Sequence, residues 1–111
     1  MSFEPPIRNL SSLDILGVRK DGGVDAVIVA ETPIDGSPET LAALSTKVRN
    51  YIAELRSPAF RAEHPRLDKV GATILINCHA AVDLTARGLI ASLAQEALGH
   101  GIKLEAVDVV A

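Results

Sequence analysis

Residues 72–78 read ATILINC, and Thr73, Ile74, Leu75 and Ile76 form an unbroken run of strand-forming side chains. A strand with no polar alternation is covered on both faces, so this segment belongs inside a sheet and not at its margin. Helical patterns flank it. Before it, Leu41, Leu44, Val48, Tyr51, Ile52 and Leu55 recur at spacings of three and four, while Lys47, Arg49, Asn50, Glu54 and Arg56 take the side expected to face water. After it, Ala86, Leu89, Ile90, Leu93 and Ala97 repeat the same spacing. An interior strand between two amphipathic helices is the pattern of parallel strands joined by crossovers, each right-handed.

The remaining segments complete the order. Apolar runs at 13–18 and 24–30 are separated by RKDGG, whose glycines adopt the positive φ of a tight turn, so the two runs pair as an antiparallel hairpin. Ser37 is placed to cap the first long helix, with Pro38 at its first position and Glu39 in its first turn. Ser57-Pro58 ends that helix or starts a further short turn through Arg61, and His64-Pro65 marks a loop. Asp83 caps the second long helix, from about Leu84 to Leu98, and Gly99 with Gly101 stops it. Residues 102–110 form the last strand. The expected fold is a two-layer α/β domain of order ββαβαβ, a four-strand mixed sheet with two helices on one face if the strands step across in chain order. Residues 1–12 read as an N-terminal arm, mobile unless pinned, and residues 13–111 as the single domain.

Composition narrows the function classes. The net charge of −3 with interspersed signs offers no face for phosphates, and three aromatic side chains cannot build stacking platforms, so nucleic acid is not an expected partner. No apolar stretch approaches the ~18 residues that span a membrane. One cysteine makes no internal disulfide, and the first residues lack the basic start and apolar run of a signal peptide, which together imply a cytoplasmic, soluble chain.

Cys78 and His79 are the natural candidates for chemistry, at the end of a strand and before a helix N-terminus. Adjacent residues on an extended chain point to opposite faces, and Cys78 follows Ile74 and Ile76 in the alternation, so the thiol is expected in the core and inert. His79 falls near Asp83, with Glu31 and Asp35 expected at the same end of the sheet. These four could bind a ligand or divalent metal or do acid–base work, although their spacing matches no ligand signature and capping or solvated loop roles are the favoured explanation. DGG at 21–23 joins two strands and is no phosphate loop. No serine sits in a nucleophile elbow. His100 lies at a helix C-terminus, where a protonated imidazole favours the dipole. No nucleophile, base and orienter can be assembled at recognisable spacing, and neither a catalytic residue, a dedicated metal site nor a cofactor is expected.

The hairpin, the helix ALSTKVRNYIAEL (43–55), the loop AFRAEHP (59–65), the strand ATILINC and the terminal GHGIKLEAV (99–107) resemble a family of short bacterial proteins with no assigned function. The likeness runs from about Leu13 to Val109, with Lys47, Val48 and Tyr51 at matching positions. It departs after the second strand, where the family tends to carry an acidic and aromatic stretch and this chain has ETPIDGSPE. The resemblance supports the element order and implies no catalytic residue.

Two readings of function follow. One is a non-catalytic interaction module that self-associates. Its expected surface is a second stripe on the second long helix, Leu84, Gly88, Ala91, Gln95 and Leu98, which would make a homodimer. The other is a small enzyme or ligand binder built on Glu31, His79 and Asp83.

Overall fold

The computed structural model describes Ile7, residues 14–30 and residues 32–108, with Asp68 described for its backbone alone. Four strands form one sheet in the order β1 (Ile15–Val18), β2 (Val24–Ala30), β3 (Ala72–Cys78), β4 (Ile102–Asp108). β1 runs antiparallel to β2, and β2, β3 and β4 are parallel. Chain-order stepping places both long helices, α1 (Pro38–Arg56) and α4 (Leu84–Leu98), on one face, as expected. Two short helices, α2 (Pro58–Glu63) and α3 (Leu67–Val70), occupy the connection from α1 to β3.

The period-two alternation decides what each strand contributes. Val24, Ala26, Ile28 and Ala30 of β2 and Ala72, Ile74, Ile76 and Cys78 of β3 point toward the helices and are buried. From above, α1 lays down Leu44, Val48, Tyr51, Ile52 and Leu55, and α4 adds Ala86, Ile90, Leu93 and Ala97. Each fully buried Leu or Ile among them contributes about 1.5–3 kcal/mol. The opposite face carries Thr73, Leu75 and Asn77, half-buried, and Lys103 and Glu105, exposed. The uninterrupted run in β3 therefore reflects a central position in the sheet rather than a second layer of helices.

Local chemistry sets the element ends. Ser37 accepts the Thr40 N–H at 3.3 Å and Asp83 accepts the Thr85 N–H at 2.8 Å, so both long helices begin where expected. Ser57 repeats the device for α2, accepting the Phe60 N–H at 3.2 Å with Pro58 next to it. The β1–β2 hairpin closes through a three-residue loop: Gly22 N–H donates to the Arg19 carbonyl at 3.0 Å and Arg19 N–H to the Gly23 carbonyl at 2.8 Å. Gly22, at φ 92°, supplies the left-handed residue that this loop requires. Arg19 donates to Asp25 Oδ1 of β2 at 2.8 Å and to the Gly71 carbonyl at 3.1 Å, and the second bond ties the hairpin to the chain ahead of β3.

Three expectations need adjustment. Lys47 does not face water; it is completely buried, among the core residues of α1. β1 begins at Ile15, and β4 is described to Asp108, with residues 13, 109 and 110 outside the described residues. The arm expected at residues 1–12 lies outside them too, except Ile7, which is buried in the core cluster.

Candidate functional site

Ligand sites in α/β sheets gather beyond the carboxyl ends of parallel strands, and here the loops leaving β2 and β3 lie side by side at that end. They are stitched by backbone bonds. His79 N–H donates to the Ala30 carbonyl at 2.9 Å, Ile34 N–H to the Ala81 carbonyl at 3.0 Å and Asp83 N–H to the Ile34 carbonyl at 2.8 Å, with Ile34 and Val82 forming a parallel bridge. Gly36 lets the loops close up, since a methyl group there would come within 2.7 Å of Asp83 Oδ2.

The structure thus brings the Asp35 and Asp83 segments together, but both carboxylates serve their own helices. Asp35 accepts the Ser37 hydroxyl at 2.7 Å and the Ser37 N–H at 3.1 Å, and these bonds, the hydroxyl's first, hold it below its ordinary range. Asp83 caps α4. The positive ends of the two helix dipoles are met by protein carboxylates, which leaves little attraction for an incoming anion. His79 is exposed beside them, and Glu31 lies outside the described residues. Among the described residues, no three His, Cys, Asp or Glu side chains stand close enough to hold a metal ion.

Cys78 and His79 do not form a pair. The thiol is buried on the helix side of β3 and burial pushes it up from its ordinary value, with the Asp108 charge adding to the shift, whereas the imidazole is exposed. A raised, enclosed thiol has little thiolate to offer.

A polar constellation outside the expected site is more ordered. Lys47 Nζ donates to Asp14 Oδ1 at 2.6 Å and lies 5.8 Å from the Tyr51 ring centre. Asp14 Oδ2 accepts the Val29 N–H at 2.9 Å, and the Tyr51 hydroxyl accepts the Asp14 N–H at 2.8 Å and donates to the Val27 carbonyl at 2.9 Å. Burial pushes the phenol up to about 12. Val29 faces β1 in the alternation, so Asp14 supplies by side chain the acceptor that a further residue of β1 would have supplied by backbone. The group anchors β1 to α1, and every donor just named meets an acceptor.

Between α1 and α4 runs a groove of 310 Å³ lined by Arg49, Ile52, Ala53, Arg56, Glu96 and His100. Its charges are matched internally. Arg49 holds Glu96 through both oxygens at 3.0 and 3.1 Å, and Arg56 donates to His100 Nδ1 at 2.6 Å. Arg56 places positive charge in the last turn of α1, where the helix dipole favours it.

Large apolar side chains are exposed elsewhere. Ile15 and Val18 of β1 are 54% and 60% exposed, with Leu16 also exposed between them. On α4, Leu84 and Leu98 are 83% and 62% exposed, and Gly88 and Ala91 between them are exposed as well. β4, at the other edge of the sheet, carries exposed Lys103 and Glu105, paired at 2.8 Å. Comparison with protein-family models, with curated proteins and with solved structures returns no match.

Proposed function

We propose that this chain is a non-catalytic α/β interaction module that associates with itself. The observation that carries the reading is a contrast. At the end of the sheet where an α/β domain would hold a ligand, the Asp35 and Asp83 carboxylates are engaged by hydrogen bonds at the helix starts, while a strand edge and a helix stripe present large aliphatic side chains to solvent. Surface of that kind is lowered in free energy by contact with another surface. The α4 stripe of Leu84, Gly88, Ala91 and Leu98 admits close approach through its small residues, and the β1 edge offers backbone as well as side chains. The resemblance to short bacterial proteins with no assigned function supports the element order alone. The cytoplasmic setting belongs to the same reading and rests on the single cysteine. No helix among the described residues is long and apolar enough to cross a membrane.

Light scattering after size exclusion tests the reading: the native chain is expected at twice the monomer mass at micromolar concentration, and a folded monomer would overturn it. Thermal shift against divalent metals and common metabolites tests the competing reading of a ligand binder at Asp35, His79 and Asp83. A ligand held only by the native state at 100 times its dissociation constant adds about 2.7 kcal/mol, and a shift of that size would favour the binder.

A further inference from the structure

The two apolar surfaces are not equivalent, and the difference identifies where a second copy docks. Arg19 N–H donates to the Gly23 carbonyl, so the alternation of an antiparallel ladder turns the backbone groups of Gly17 and Ile15 toward β2 and those of Leu16 and Val18 away from it. Among the described residues, no hydrogen bond reaches the outward groups of Leu16 and Val18. The edge thus presents two residues' worth of donors and acceptors, spaced for another strand, with no charge or proline between Asp14 and Arg19 to deter pairing.

We propose that two copies of the chain join along β1, antiparallel, about a two-fold axis at Gly17, making one continuous sheet across both. This deepens the self-association reading and rests on it. With outward groups at Leu16 and Val18, the only self-pairing that satisfies all of them sets Leu16 against Val18 of the second copy and Val18 against its Leu16. Gly17 then faces Gly17 in the closer, non-hydrogen-bonded kind of pair, with Cα atoms about 4.5 Å apart. Gly17 itself supports this. Its φ is not positive and, among the described residues, an added methyl would meet only the Asp25 carbonyl oxygen at 3.8 Å, so none of them calls for glycine there. Glycine within a strand marks close approach of another backbone. The same register lines Leu16 and Val18 along the helix side of the joined sheet, apolar against apolar across the seam.

Cross-linking reads the register directly. Gly17→Cys places two thiols at the spacing of a disulfide on the two-fold axis, whereas Leu98→Cys gives an exposed thiol on α4, away from that axis. With diamide as oxidant, Gly17→Cys is expected to form a covalent dimer at least tenfold faster than Leu98→Cys. Val18→Lys, a charge on the free edge, is expected to give a folded monomer by light scattering and circular dichroism, and Leu98→Glu to remain dimeric. A native dimer that survives Val18→Lys, or that is lost on Leu98→Glu while Gly17→Cys cross-links no faster than Leu98→Cys, would overturn the β1 seam and leave self-association standing. A native monomer would overturn both.

Discussion

Lys47 Nζ and Asp14 Oδ1 lie 2.6 Å apart and join residues 33 positions distant in the chain, with the lysine side chain entirely removed from solvent. A buried ammonium is costly unless it is paired, and Asp14 is the partner that offsets the cost. The bond fixes the start of β1 against α1, and the free edge of the sheet is held from there.

Removing one member of this pair is therefore expected to be expensive. Lys47→Ala leaves the Asp14 carboxylate without its counter-charge and opens a hole beside Tyr51, for a loss of about 3–5 kcal/mol in chemical denaturation. A loss below 1 kcal/mol would mean that the pair is solvated.

Tyr51 is the only tyrosine and tryptophan is absent, so ultraviolet titration reports this phenol alone. The folded protein is expected to ionise at about 12, against 10.0 for an ordinary tyrosine. Because the folded value is raised, the neutral phenol favours the fold. Its contribution is complete below pH 10 and declines as pH climbs from 10 to about 12. A midpoint near 10 in protein that is still folded would contradict the burial. Tyr51→Phe abolishes the absorbance change and deprives the Asp14 N–H of its acceptor, at a cost of about 1–3 kcal/mol.

Ser37→Ala is expected to cost about 1 kcal/mol, since the Thr40 N–H loses its acceptor, and to leave the assembly state unchanged. An unaltered denaturation midpoint would show that Asp35 and water replace the hydroxyl without loss.

Cys78 is expected to react slowly with a thiol reagent in the native state and rapidly in denaturant, because burial both hides the sulfur and disfavours thiolate. Equal rates would show that β3 opens readily at its end.

The architecture was legible where the signal is local. The Gly22 turn, the Ser37 and Asp83 caps and the apolar stripes of α1 and α4 are each read within a few residues, and the strand order follows from economical connections. Ser57-Pro58 repeats Ser37-Pro38, so the start of α2 was visible by the same rule. Lys47 was misassigned because its residue type suggested water, although it lies three after Leu44 and four before Tyr51 and so on the buried stripe. Asp14 could not be matched to it, since the partner is set by tertiary packing rather than spacing. At the expected site, chain order correctly put Asp35 and Asp83 at one end of the sheet. Only the hydrogen bonds reveal that Asp83 is engaged as the cap of α4 and Asp35 by Ser37, the cap of α1.

Lys103 and Glu105 give β4 a charged rim, whereas β1 has none between Asp14 and Arg19. In the proposed pair the two β1 edges are used against each other and both outer margins are β4, so its charged rim would offer a third molecule no bare strand to extend. Neutralising that rim, for instance by Lys103→Val with Glu105→Val, is expected to open a second edge and carry the proposed pair on to longer assemblies, read by light scattering.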